Sequence, residues 1–231
     1  MSTGSLPLPL RGVVGLLLLT TLAGAPCAEE PASRPARFGD AAWRFIERLS
    51  LPADLDLETA AVRCAGSLRD NGRFDAVLCY EPGEDPEREA VLGAAVTRTM
   101  RRLRLEPARL EGRRVPVSFR FTVALRRTAE GDRVTLFPHH GLSLEALGAV
   151  YAGAQRVLEA DPPRCLARPG APAVALTARV DATGRPHDVA TDPDDDCGRE
   201  VAAAVRASRF LPARKDGRPV DARYDEVFPG G

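Results

Sequence analysis

The stretch Ser208-Arg-Phe-Leu-Pro-Ala-Arg-Lys-Asp-Gly-Arg-Pro-Val220, continued by Asp-Ala-Arg-Tyr-Asp-Glu-Val-Phe228, reads as the end of a helix, a tight turn and an outgoing strand. A second copy lies upstream as Leu103-Arg-Leu-Glu-Pro-Ala-Arg-Leu-Glu-Gly-Arg-Arg-Val115, followed by Pro-Val-Ser-Phe-Arg-Phe121. In both, an apolar residue (Leu105, Phe210) stands two before Pro-Ala-Arg, and Gly follows the Pro by five. An ordered coincidence of this length points to an internal duplication.

Outward from this corner the first copy unfolds in order. Thr59 to Arg69 and Arg73 to Tyr80 read as strands joined at Asp70-Asn71-Gly72, since Asn and Gly tolerate the positive φ of a tight hairpin. Val62, Cys64 and Leu68 share one face. The acidic stretch Glu81 to Glu89, with Pro82, Gly83 and Pro86, leads into a helix whose Glu87 and Glu89 suit a positive dipole end. Leu92, Val96, Met100 and Leu103 give it a buried stripe, and Arg101, Arg102 and Arg104 complement its negative end. Arg113 to Leu125 then reads as one long strand, with Val115, Val117, Phe119, Phe121, Val123 and Leu125 on one face.

The second copy repeats these steps. Val174, Leu176, Ala178 and Val180 alternate, Asp181-Ala-Thr-Gly184 turns, and Pro186 to Thr191 returns. Gly184 precedes Pro212 by 28 residues and Gly72 precedes Pro107 by 35; the excess falls in the acidic loop after Tyr80, where insertions are tolerated. Asp192-Pro-Asp-Asp-Asp-Cys197 has the acidity of a calcium loop but not its Gly at the sixth position or Glu at the twelfth. Its acids are assigned to the start of a helix. Val201, Ala204, Val205 and Ser208 supply that helix with a small-residue face, closed by Phe210.

Composition narrows the setting. The 231 residues, 44% of them hydrophobic, suffice for one moderate domain or two small ones, and the duplication favours two. With 32 basic against 32 acidic residues, no global field draws the chain to nucleic acid or an anionic membrane. Residues 1–28 read as a cleaved export signal, with Arg11 as the positive flank, an apolar run from Val13 to Ala25, and small residues near Ala25, Cys27 and Ala28. That run is shorter than the ~20 residues of a membrane span. Glu29 to Gly39, with Pro31 and Pro35, reads as a short extended tether. Asp40 is expected to cap a helix through Ala41, Trp43, Phe45, Ile46 and Leu49, with Trp43 packed on the first domain. Between the copies, Thr128 to Arg133 is expected to turn, Val134 to Phe137 to form a short strand, and Leu144 to Leu158 a helix capped by Ser143.

Export makes disulfides the default reading of Cys64, Cys79, Cys165 and Cys197, for which three pairings exist. Cys64 and Cys79 flank Asn71-Gly72 symmetrically, so a two-residue hairpin would set them opposite each other; a three-residue loop would break that register. Cys165 with Cys197 is then the other pair. A zinc site is disfavoured because no Cys-x-x-Cys occurs. His139-His140 reads as an exposed loop pair and His187 as an exposed residue beside a turn. No Gly-x-Ser-x-Gly or His-Glu-x-x-His occurs, so no catalytic, cofactor-binding or metal-binding residue is assigned, and the chain is read as non-enzymatic.

The order strand, Gly turn, strand, helix, Pro-Ala-Arg, Gly turn, outgoing strand resembles the C-terminal domain of the TonB family. The likeness rests on Val180-Asp-Ala-Thr-Gly-Arg185, Asp188-Val189, Arg209-Phe-Leu-Pro-Ala-Arg214 and Asp216-Gly-Arg-Pro-Val220, and in the first copy on Asp70-Asn-Gly-Arg73, Leu105-Glu-Pro-Ala-Arg109, Glu111-Gly112 and Phe119-Arg-Phe121. It implies an α+β fold: two β-β-α-β units, each a helix on a three-stranded antiparallel sheet, with additional helices before each copy. The expected segments are 1–28 signal, 29–57 lead and helix, 58–126 first domain, 127–164 linker with helix, and 165–231 second domain. The resemblance further implies a periplasmic module that binds an extended peptide or an envelope protein, such as an outer-membrane receptor, by strand pairing. The strands that would offer an edge carry Val220, Ala222, Tyr224, Glu226 and Phe228, or Val117, Phe119 and Phe121. No cofactor and no nucleic-acid partner is expected. The apolar segment lacks histidine and acid, and the polar spacer before Trp43 is short. A binding module accessory to TonB-dependent transport is therefore expected ahead of a membrane-anchored energy transducer, a structural envelope protein or a periplasmic hydrolase.

Overall fold

Two hairpins carry the architecture in the computed structural model, which describes residues 33–53, 55, 58–83, 85–140, 144–159, 161 and 163–231. The expected signal (1–28) and the expected cap Ser143 lie outside the described residues. In chain order the elements are β1 (Ser33–Arg34), α1 (Ala41–Arg48), β2 (Thr59–Leu68), β3 (Phe74–Tyr80), α2 (Pro86–Met100), β4 (Ala108–Leu110), β5 (Arg113–Val115), β6 (Val117–Thr128) and β7 (Gly131–Phe137). They continue with α3 (Leu144–Leu147), β8 (Gln155–Arg156), a 3-10 turn (Arg164–Ala167), β9 (Val174–Val180), β10 (Pro186–Asp192), α4 (Asp196–Ala207), β11 (Phe210–Leu211), β12 (Ala213–Lys215), β13 (Arg218–Val220) and β14 (Ala222–Phe228). The fold is α+β. Its main sheets are antiparallel, ordered β3-β2-β6-β7 and β10-β9-β14.

Both hairpins close in the same way. Arg69 N–H donates to the Arg73 carbonyl and Gly72 N–H to the Arg69 carbonyl; Asp181, Arg185 and Gly184 repeat the pattern. Each loop therefore has three residues, not the two expected around Asn71-Gly72. That alone would break the cysteine register. Leu68 pairs with Phe74 but Ser67 with Ala76, so one extra residue at Asp75 restores it and Cys64 lies opposite Cys79. The second hairpin has its own bulge between His187 and Ala190, with Asp188 at φ 51°. Disulfides join Cys64 to Cys79, with Cα atoms 4.1 Å apart, and Cys165 to Cys197, with Cα atoms 5.4 Å apart.

Each hairpin tip docks beneath the residue that leads into Pro-Ala-Arg. A Cβ on Gly72 (φ 80°) would collide with the Leu105 carbonyl, and one on Gly184 (φ 85°) with the Phe210 carbonyl. Leu105 N–H also donates to the Gly72 carbonyl at 2.8 Å. In α2, Asp85 accepts the amides of Glu87 and Arg88, and in α4, Asp195 accepts that of Gly198. Helix α2 ends at Met100, so Arg101, Arg102 and Arg104 lie at and beyond its cap and not in its last turn.

The Pro-Ala-Arg spacing has a local cause. β4 pairs with β5 across Glu111-Gly112, and β12 with β13 across Asp216-Gly217. Those four residues have φ of 52°, 76°, 51° and 75°, as a two-residue type I′ hairpin requires. Arg109 Nη1 donates to the Gly112 carbonyl at 3.0 Å, and Arg214 Nη1 to the Gly217 carbonyl at 2.6 Å. Each arginine thus caps its own turn.

Beyond the corner, the strand expected from Arg113 to Leu125 is two strands parted at Pro116, which has no N–H to give a ladder. The first sheet gains a fourth strand, because β7 pairs with β6 from Thr122 onward. The helix expected from Leu144 to Leu158 is one turn. Gly148, at φ 70°, follows it, and the chain then extends: Ala152 bridges Arg214, β8 pairs with β11, and Val157 bridges Val117. From Ser33 onward the lead is likewise built in and not a tether, since β1 pairs with β4, Arg37 bridges Glu106, and Ala36 and Phe38 are buried. Buried Gln155 joins the two extended segments, accepting the Ala36 amide and donating to the Ala36 carbonyl, both at 2.8 Å.

Two apolar clusters result. One gathers Phe38, Phe45, Leu92, Val96, Met100, Phe119 and Phe121; the other gathers Val174, Leu176, Val180, Val201, Val205 and Tyr224. Each full burial contributes ~1.5–3 kcal/mol. Trp43, expected inside, is 66% exposed. Helix α1 buries Ala41 and Phe45 one turn apart, and a residue midway between them faces the other way. Asp40 makes no side-chain cap there.

The docked tip can be tested by substitution. Gly170 also has a positive φ, 77°, but nothing lies near its Cβ position. Gly170→Ala should cost ~1 kcal/mol in urea unfolding, and Gly184→Ala more than ~2 kcal/mol, because it adds a clash with the Phe210 carbonyl to the same backbone cost.

Candidate strand-binding edge and the polar cluster behind it

Of the two strands expected to accept a peptide, only β14 ends a sheet. Val117, Phe119 and Phe121 lie on β6, fully buried, where the strand pairs with β2. The long alternation of β6 marks a strand with neighbours on both sides in the sheet order, although β7 pairs with it only from Thr122 onward and, before that, Val117 bridges Val157. β14 pairs with β9 from Ala222 opposite Val180 to Phe228 opposite Val174 without a register break.

The orientation of its backbone is set by the turn. Asp181 bonds Arg185, so Val180 and Pro186 form the next, non-bonded pair, and Val180 turns its N–H and C=O toward β14. Ala222, Tyr224, Glu226 and Phe228 therefore face β9. Arg223, Asp225 and Val227 point theirs outward, where no strand pairs with β14 among the described residues. The side chains expected to line the site are turned away from it. Ala222, Tyr224 and Phe228 are buried, Val220 is half-buried on β13, and Glu226 is engaged in an ion pair.

That ion pair anchors β14 to the first half. Glu226 accepts from Arg156 Nε at 2.8 Å and Nη2 at 3.0 Å, from the Tyr224 hydroxyl at 2.7 Å and from the Ser118 hydroxyl at 2.9 Å. The Arg120 guanidinium lies 3.9 Å from the centre of the Tyr224 ring. Burial, and then the Glu226 charge, push the Tyr224 hydroxyl up. Burial also opposes the Glu226 charge, but the bonds and charge of Arg156 outweigh it and hold this carboxyl below its usual range. For Arg156, burial works against the charge and Glu226 more than offsets it, so the guanidinium keeps its proton more tightly. The inner face of β14 is thereby fixed while its outer edge stays open.

The histidines expected to be exposed are packed instead. His139 is buried, with its ring edge-on to Phe137 and Tyr151 and Nε2 3.1 Å from the Gly148 carbonyl. His140 Nε2 lies 2.6 Å from the Cys64 carbonyl, and the Thr122 hydroxyl donates to the His139 carbonyl at 3.0 Å. A carbonyl only accepts, so each Nε2 carries the proton. Burial, and then the charge of Arg120, lower the His140 pKa to about 4. Burial lowers that of His139. A His-His pair in a loop carries no local signal of the sheet it will rest on. Exposed His187 lies on β10.

Among the described residues, no group of three or more His, Cys, Asp or Glu is placed to hold a metal ion, and no helix is long and apolar enough to cross a membrane. No family model, curated protein or solved structure matches the chain.

Two measurements probe the cluster and the histidine. Arg156→Met should lower stability by ~3–5 kcal/mol at pH 7, because Glu226 keeps its burial and loses its cation. The loss should shrink at pH 4, where the carboxyl can take a proton, and Arg156→Met with Glu226→Gln should recover part of it. His140 titrates near 4 when folded and 6.5 when free. Between those values the unfolded chain binds the extra proton, so stability falls as pH drops through that window, by ~3 kcal/mol. His140→Gln, which keeps an amide donor, should flatten that limb of urea unfolding measured against pH.

Proposed function

We propose that this chain is an exported, non-enzymatic binding module, a tandem relative of the TonB C-terminal domain, that receives an extended segment of a cell-envelope protein along β14. The observation that carries the reading is the open outer edge at Arg223, Asp225 and Val227. An edge of this kind is a ready template for another strand. The first half supports it from within the molecule: its corresponding strand, β6, has an antiparallel strand, β7, on that same side from Thr122 onward. Two disulfides suit an oxidising compartment such as the periplasm. A service to TonB-dependent transport fits this mode, because backbone pairing captures a segment without demanding much of its sequence. A purely structural envelope role would call for β14 to be covered.

The test is a random-heptapeptide display selection on residues 31–231, a compact unit of the chain, followed by amide hydrogen exchange with the strongest selected peptide. The peptide should slow exchange at Arg223, Asp225 and Val227, with little change at Tyr224, whose amide is already paired. Val227→Pro removes one outward donor on an exposed residue and should weaken binding at least ~10-fold while leaving the fold intact. Equal binding by Val227→Pro, or protection confined to another surface, would sink the reading.

A further inference from the structure

One row across the outer face of the second sheet is built entirely of basic residues. His187 on β10 is in register with Arg179 on β9, and Arg179 with Arg223 on β14. Register partners on neighbouring strands point to the same face, and all three residues are exposed. Like charges set directly opposite each other destabilise a sheet, so Arg179 beside Arg223 does not serve the fold. The first half supplies the comparison. Counted from the same Gly turn and the same Pro-Ala-Arg corner, the equivalent pair is Ser67 with Ser118, which is neutral and in register. The repeated fold needs no cations there.

The acids nearby engage one arginine of the row, for Asp225 is ion-paired with Arg223. Asp225 accepts from Arg223 Nε at 2.7 Å, which orients that guanidinium, and Asp221 accepts the Ala182 amide at 2.8 Å. Asp188 stands on the bulge. Arg179 has no ion pair among the described residues. Arg179 and Arg223 line a cleft of about 490 Å³ together with Thr177, Asp188 and Asp221.

Arg223 is also a position whose N–H and C=O face outward. A strand added beside β14 therefore sets one of its residues opposite Arg223, with that side chain on the same face. We propose that this residue is acidic, and that its carboxylate is held jointly by Arg223 and Arg179. The inference rests on strand pairing at β14 and adds the side chain that fixes register and selects the partner: an extended segment bearing Asp or Glu at that position. Backbone pairing supplies affinity for any strand; the arginine pair supplies discrimination.

The probe is a set of three labelled peptides, Thr-Val-Thr-Val-X-Val-Thr-Val-Thr with X as Glu, Gln or Lys, titrated against residues 31–231 by fluorescence anisotropy in 50 mM and 500 mM NaCl. The Glu peptide should bind about tenfold more tightly than the Gln peptide, the Lys peptide more weakly still, and the spread should narrow in high salt. In Arg179→Glu, whose exposed side chain lies outside both cores, the order should invert. Equal binding of the three peptides would leave strand pairing standing and overturn the acidic contact, as would an unchanged order in Arg179→Glu. Binding of none at millimolar concentration would overturn strand pairing and this inference with it.

Discussion

The contact on which the structure depends is the docking of a glycine hairpin tip beneath the corner that comes after each helix. Gly72 under the Leu105 carbonyl and Gly184 under the Phe210 carbonyl leave no room for a side chain. The contact fixes the end of the helix against the far end of the hairpin, and so determines where the next strand must begin. The Pro-Ala-Arg segment turns the chain there, and its arginine caps the type I′ turn that sends it back. The outgoing strand, β6 in one half and β14 in the other, has one open place beside the first hairpin strand and takes it.

The two halves diverge in what covers that last strand. In the first, β7 extends the sheet and the segment bearing His139 and His140 packs against it. In the second, nothing described pairs with the outer edge of β14, although its inner face is tied to Ser118 and Arg120 through Glu226 and Tyr224. A strand held rigid on one side and open on the other loses little entropy when it gains a partner, which is the physical advantage of a pre-ordered template. The arginine pair on its exposed face then has a use that folding does not give it.

Much of the fold is legible in the sequence, because local geometry leaves marks there. Gly at positive φ, Pro-Ala-Arg with Gly five residues on, alternating apolar residues and acids before helices all report on a few neighbouring residues. Even so, the cysteine register holds for a reason other than the expected one: a three-residue loop and a bulge at Asp75 compensate each other. Trp43, the lead before it and the segment from Tyr151 to Val157 depart from expectation for a shared reason. Their positions depend on partners far along the chain, such as the Gln155 bonds to Ala36. Of the candidate edge, the strand is legible. The burial of its own side chains, and the exposure of Arg223 with Arg179 beside it, are not.

By itself, then, the sequence determined where the glycine turns fall and the hairpin, helix and Pro-Ala-Arg corner around each of them, since these depend on backbone conformations that only certain residues adopt. The tertiary structure alone decided which sheet edge stays open, that β6 is interior while β14 is terminal, and that two arginines stand opposite each other. Those are matters of register between strands distant in sequence, set by how the two halves pack, and no local pattern of residues encodes them.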